Sequence, residues 1–142
     1  MVAGIIPAWL LRRSPGPALP LGPFYWLGLP LGGAGLGVLL VTIVAFATRG
    51  HGTLAPWDAP TALVHGGLYR RTRNPMYLGV LGLLLGQALW WASGGLLLYA
   101  LAIAAAFQVR VIGYEEPALA RQFGAAYADY RRSVPRWLPR LR

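Results

Sequence analysis

The side chains best suited to chemistry fall into two short polar segments, and each borders a long apolar run. The first, residues 69–77, reads Tyr-Arg-Arg-Thr-Arg-Asn-Pro-Met-Tyr, and the second is the acid pair Glu115-Glu116, preceded by Arg110. An acid pair beside an arginine cluster can bind a zwitterionic ligand through both of its charges. A simpler interpretation is also open, in which the arginines reach lipid phosphates and the glutamates balance their charge.

Metal and thiol chemistry are not expected. The chain has no Cys, and its two histidines, His51 and His65, lie fourteen residues apart without further ligands at metal-binding spacing. We therefore predict no metal site.

The composition points to lipid as the solvent for much of the surface. Of the 142 residues, 56% are hydrophobic and 12% are charged, against about 25% charged in soluble domains. The net charge of +9 raises the possibility of nucleic-acid binding. However, the arginines flank apolar runs, which is typical of membrane boundaries, so we predict a lipid bilayer and not nucleic acid as the partner.

The elements that must position the polar segments are apolar helices. Residues 24–48 contain no charged side chain and exceed the ~20 residues needed to cross a bilayer. Within them, the pairs Gly28/Gly32 and Gly33/Gly37 have the spacing that lets another helix approach closely.

Two further helices are predicted at 75–92 and 95–114, joined by a tight turn at Ser93-Gly94-Gly95. Pro75 suits a first helical turn. The glycines of the first helix should admit the second helix or a ligand. Gln87 could bond a neighbouring helix or face a tunnel, and packing against the helix is favoured. These glycines are Gly79, Gly82 and Gly86.

Polar chain surrounds this hairpin. Residues 49–74 form a long loop and residues 115–142 a polar tail. In the tail, apolar side chains recur at helical spacing, which predicts an amphipathic helix on the membrane surface. They are Leu119, Phe123, Tyr127 and Tyr130.

The loop and the tail must share one side of the membrane because a hairpin connects them. Counted with Arg110, just before the tail, they hold 11 of the 13 arginines, which assigns them to the cytoplasmic side of what we expect to be a bacterial inner membrane. Residues 1–11 are apolar but too short to cross; they are either the second half of a helix or a short interfacial segment. The predicted fold is an all-α polytopic membrane bundle with three full transmembrane helices, a short N-terminal apolar segment and a C-terminal amphipathic interfacial helix.

Several motifs resemble the isoprenylcysteine carboxyl methyltransferase family, which is related to phospholipid N-methyltransferases. The resemblance covers roughly residues 50–140. Its motifs are residues 67–79, Glu115-Glu116-Pro117-Ala118-Leu119, Phe123-Gly124, Tyr127, Tyr130 and Val134-Pro135-Arg136. It implies an integral membrane enzyme that transfers a methyl group from S-adenosylmethionine to a lipophilic or lipid-like acceptor at oxygen, sulfur or nitrogen.

The resemblance also implies site residues. Arg110 is the substrate residue, one position out of register with the arginine of the family's eukaryotic members, and Asn74 stands where the family usually has His. The cofactor site would comprise Thr61, Ala62, Leu63, Val64, Tyr69, Asn74, Pro75, Met76, Tyr77 and Glu115. Methyl transfer from a sulfonium needs alignment and a dry site more than acid–base help, so no catalytic residue is assigned.

Two other functions stay open at this point. Membrane sterol reductases, which use NADPH, share a similar Arg-His-Pro-x-Tyr segment, although they usually have Asn where this chain has Met76. A membrane scaffold without catalytic activity is the other alternative. Binding of S-adenosylmethionine or of NADPH separates these hypotheses.

Overall fold

The structure, a computed structural model, describes residues 1–13, 16–49, 63 and 66–139. The elements in chain order are α1 (Ile5–Arg13), a 3₁₀ turn (Gly22–Leu27), α2 (Gly28–Arg49), a second 3₁₀ turn (Gly67–Arg70), α3 (Pro75–Trp90), α4 (Gly94–Arg110), a π turn (Val111–Glu115) and α5 (Glu116–Ser133). Within the described ranges the one β-type pairing is an isolated bridge between Ala18 and Ser93. The all-α prediction is confirmed.

Among the residues that the structure describes, two helical runs are long and apolar enough to cross a membrane. They are Gly22–Ala45, with 24 residues, and Gly94–Ser133, with 40. The hairpin's first helix, α3, is apolar but has 16 residues, which at 1.5 Å per residue cover about 24 Å of a ~30 Å hydrocarbon layer. Three full spans were expected, and by length two of the three are present.

The helix predicted at 95–114 does not end there. Its backbone continues through the π turn into α5, because the N–H of Glu116 bonds the carbonyl five residues back, at Val111. Pro117, the second residue of α5, has no N–H to donate, and the wider π turn before it accommodates its ring. Further along, Gly124 interrupts α5 with a φ of 51°, a conformation that glycine adopts without strain.

The chain forms two compact units, of which the first comprises Met1–Gly37 and Tyr77–Gln108. Its core is apolar, and its innermost side chains are each 1% exposed. They are Leu84, Ala88, Leu96 and Ala100.

In this unit α2 and α3 meet through glycines. A Cβ added at Gly28 would lie 2.5 Å from the Gly86 carbonyl oxygen, and one at Gly82 would lie 3.1 Å from the Cα of Gly35. The predicted close approach at Gly28/Gly32 is therefore confirmed, although the partner of the α3 glycines is α2 and not the second hairpin helix. Gly33 and Gly37 meet no described atom within 4 Å, so the second predicted pair is not used.

The N-terminal segment packs on the α3–α4 hairpin. The side-chain amide of Gln87 donates to the carbonyl of Ala3 at 2.8 Å, and the Tyr99 hydroxyl donates to that of Val2 at 3.1 Å. Four residues after Ala3 comes Pro7, which has no N–H to offer that carbonyl. Gln87 supplies the missing donor, so its predicted packing role is confirmed.

The second unit comprises Val38–Met76 and Val109–Arg142. Both apolar and polar side chains are buried in it. They are Thr42, Thr72, Val111, Glu116, Tyr127 and Val134. The predicted apolar stripe of α5 is its inward face, since Tyr127 is 2% exposed and the Tyr130 hydroxyl donates to the Tyr69 carbonyl at 2.7 Å. These two tyrosines of the stripe therefore pack against other parts of the second unit.

Candidate functional site

Two non-helical segments of the second unit, 72–74 and 134–136, are joined by hydrogen bonds. The Arg73 N–H donates to the Pro135 carbonyl at 2.9 Å. The Thr72 hydroxyl and the Asn74 side-chain amide both donate to the Arg136 carbonyl, at 3.0 and 3.1 Å. Segments 72–74 and 134–136 are two of the motifs on which the family resemblance depends, and the structure joins them.

Proline explains why neither segment is helical. Asn74 precedes Pro75 and Val134 precedes Pro135, and a residue before proline is disfavoured in the helical region. Val134 has the expected extended backbone, with φ −121° and ψ 126°. Extended backbone cannot satisfy its own donors and acceptors, and here each segment supplies partners for the other.

Glu116 lies at the centre of this pairing. One oxygen, Oε1, accepts from Nη1 of Arg73 at 2.8 Å and from Nε of Arg136 at 2.7 Å. The other, Oε2, accepts from Nη2 of Arg136 at 2.9 Å, so the Arg136 contact is bidentate. Nη1 of Arg73 also reaches the Tyr127 hydroxyl at 3.3 Å. The side chains of Arg73 and Glu116 are each 10% exposed, which makes this a nearly buried charge cluster.

The adjacent acid, Glu115, has a different partner. Its Oε1 accepts from Nε of Arg110 at 2.9 Å, with side-chain exposures of 28% for Glu115 and 37% for Arg110. The Arg110 guanidinium also lies 5.8 Å from the ring centre of Tyr114, within cation–π range. Glu115 is thus accessible to a ligand, whereas Glu116 is enclosed.

Two ionisable groups outside the helices report on this environment. Burial, assisted by the negative charge of Glu115, raises the pKa of Tyr69 to about 12, so its phenol stays neutral and can donate a hydrogen bond. The hydrogen bond to Glu116 raises the pKa of Arg136, outweighing the opposite effect of burial. The charge of Glu115 affects the pKa of Tyr69. These two residues, both expected in the cofactor site, therefore lie within electrostatic reach of each other.

The remaining expected site residues are placed as follows. Thr61, Ala62 and Val64 lie outside the described residues, and Leu63 is half-buried. Pro75 is buried and Met76 half-buried. Tyr77 belongs to the first unit, where its ring stacks on Phe107 at 4.3 Å between centres.

A groove of about 220 Å³ adjoins Tyr69 within the second unit. Its walls come from the end of α2 and from the 3₁₀ turn before α3. The lining residues are Val41, Thr42, Val44, Ala45, Thr48, Gly67, Leu68 and Tyr69. Most of these are apolar, so the groove suits a lipophilic ligand better than a charged one.

Sequence reasoning missed the roles of Arg136 and Tyr127. It placed Arg136 in a tail motif and Tyr127 on an apolar stripe, yet both contact the Arg73–Glu116 pair. The available signal was the two residue–proline steps, Asn74-Pro75 and Val134-Pro135, each of which predicts an extended segment in need of backbone partners.

Comparison with known proteins gives two matches. The family model described as phospholipid methyltransferase matches residues 24–126. Methanethiol S-methyltransferase 2 of Bradyrhizobium diazoefficiens is 42% identical over 78 residues, which are 52% of this chain and 27% of that protein. The match thus spans about a quarter of the relative's length. No solved structure matches the chain.

Proposed function

The chain belongs to the phospholipid methyltransferase family, and from this we propose that it is a membrane-bound methyltransferase that uses S-adenosylmethionine. The observation that carries the proposal is the family match over residues 24–126, which includes both Tyr69 and Glu115. The two apolar helical runs agree with a membrane location. Arginine counting assigns the polar segments to the cytoplasmic side.

The residues of the second unit fit such a cofactor. When bound, S-adenosylmethionine supplies a methyl group from a positively charged sulfonium. Glu115, 28% exposed, offers a carboxylate to the sulfonium of the cofactor, and Tyr69 offers a neutral phenol within electrostatic reach of Glu115. Opposite charges attract more strongly where water is partly excluded, which favours a site at the edge of a buried cluster.

The proposed acceptor is a small lipophilic molecule, with a thiol as the first choice. The relative's name states that it methylates methanethiol, and the groove beside Tyr69 is lined mainly by apolar side chains. Apolar walls would hold such an acceptor and keep water away from the transfer. Carboxylates and amines are the other acceptor types to test.

Binding and methyl transfer test the proposal directly. In detergent or nanodiscs, the chain is expected to bind S-adenosylmethionine saturably by calorimetry and not to bind NADPH. Labelled-methyl transfer to a panel of lipophilic thiols, acids and amines then identifies the acceptor. Saturable binding of NADPH alone would point to a reductase, and binding of neither would favour a scaffold; both results contradict the proposal.

A further inference from the structure

The π turn between α4 and α5 changes the direction in which the two adjacent glutamates point. In an α-helix with 3.6 residues per turn, residues five apart lie about 140° apart around the axis. Arg110 and Glu115 are five apart, yet Nε and Oε1 are 2.9 Å from each other. They meet because the Glu116 N–H bonds the Val111 carbonyl, which adds one residue to that turn.

The local sequence accounts for the position of the π turn. In a regular helix the ring of Pro117 would clash with the carbonyl four residues earlier, which is that of Gly113. Glycine at 113 also has about 1 kcal/mol less preference for the α-helix than alanine. A wider turn immediately before Pro117 relieves the clash and keeps the backbone helical.

The extra residue separates the functions of the acid pair. Glu116 turns inward to Arg73 and Arg136, while Glu115 turns to Arg110 and remains partly exposed. The π turn therefore brings Arg110 and Glu115 together although they are five residues apart. An i,i+5 ion pair of this kind needs the π turn, since an α-helix pairs residues three or four apart.

We propose that Arg110 is a positioning residue, which through its ion pair across the π turn holds the Glu115 carboxylate where it meets the sulfonium of S-adenosylmethionine. This inference rests on the proposed function. Its supporting contacts are the 2.9 Å ion pair and the cation–π contact of the guanidinium with Tyr114 at 5.8 Å, which together restrict the motion of both charged groups.

The experiment compares binding of S-adenosylmethionine with binding of S-adenosylhomocysteine, which lacks the sulfonium charge. We expect Arg110→Gln and Glu115→Gln each to weaken S-adenosylmethionine binding about tenfold, equivalent to about 1.4 kcal/mol, and to affect S-adenosylhomocysteine less. The matched control is Arg132→Gln, which removes an exposed ion pair to Asp129 at 3.7 Å on the same helix. It should leave both affinities unchanged.

A charge swap separates positioning from a merely structural role. Each single variant breaks the ion pair and should lower the melting temperature. In the double variant Arg110→Glu/Glu115→Arg the ion pair can re-form, so the melting temperature should return toward that of the unaltered protein. Binding of S-adenosylmethionine should stay weak, because position 115 then carries a positive charge. Restored binding in the swap, or normal binding by Arg110→Gln, overturns this inference alone, whereas absence of binding by the unaltered chain overturns the proposed function with it.

Discussion

At the scale of single residues, Glu116 is where the polar contacts of the second unit converge. Its carboxylate accepts from Arg73, just before α3, and from Arg136, just after α5. One side chain thereby joins three parts of the unit. Such a cluster adds little net stability compared with an apolar core, but removal of one partner is costly because it leaves charges buried without compensation.

Replacement of Glu116 by Gln should therefore destabilise the protein strongly. Gln keeps the shape of Glu but cannot neutralise two guanidinium groups. We expect the free energy of unfolding to fall by about 3 kcal/mol, as measured by denaturant titration in detergent. Asp129→Asn, which weakens the exposed pair with Arg132, is the control and should change stability by less than about 0.5 kcal/mol. Equal losses in the two variants would contradict a structural role for Glu116.

The chemistry of these residues was readable from sequence, but their partners were not. Arg73, Glu115 and Glu116 were identified as a charged cluster because they border apolar runs. The sequence alone does not reveal the π turn that lets Glu115 reach Arg110. A single additional residue in one helical turn does not visibly change the spacing of the apolar residues. Only the Gly113–Pro117 spacing hints at it, and that spacing is also compatible with a helix end.

At the scale of helices, the α2–α3 contact is a set of glycines packed backbone to backbone. Sequence spacing predicted such a contact at both Gly28/Gly32 and Gly33/Gly37, and the structure uses the first pair together with Gly35. The two pairs have the same spacing and lie on different faces of α2. Which pair is used depends on which face of α2 packs against α3. The spacing of the glycines within α2 does not predict that face.

This interface yields a matched pair of substitutions on one helix. A Cβ at Gly35 would overlap the backbone of Leu83 and lie 2.8 Å from the Gly79 carbonyl oxygen, whereas one at Gly37 meets no described atom within 4 Å. Gly35→Ala should destabilise the protein by roughly 1–3 kcal/mol, as overpacking of a core does, because α2 and α3 must separate. The melting temperature in detergent should fall accordingly. Gly37→Ala should be neutral or slightly stabilising. A larger loss for Gly37→Ala than for Gly35→Ala would contradict this packing.

At the scale of the whole chain, the composition predicted the fold class because lipid imposes a strong constraint. Backbone groups in a bilayer must be satisfied internally, so long apolar runs become helices. That argument succeeded for α2 and α4. It was less informative for α3, because a 16-residue helix can have the same apolar composition as a full span. It was also less informative for α5, which continues α4 where a separate amphipathic helix on the membrane surface was expected.

The membrane sidedness that we propose from the arginine distribution can be tested by labelling. The chain has no Cys, so a single introduced Cys reports its own location. Ala126→Cys on α5 and Ala18→Cys beside the α3–α4 turn both place the thiol at exposed positions. In intact cells, a membrane-impermeant maleimide should label position 18 and not position 126. The reverse pattern would show that the arginine-rich segments lie outside the cytoplasm.

The glycine contact between α2 and α3 also has a consequence for synthesis. Gly35 and Gly82 are 47 residues apart, so at about 5–20 residues per second the ribosome makes the second roughly 2–10 s after the first. Throughout that interval α2 has no α3 to cover its glycines, and the Ala3 carbonyl has no Gln87 amide. In the finished protein the glycines of α2 permit close packing because they have no side chains. During translation the same property leaves the α2 backbone accessible to lipid or to other nascent helices for seconds.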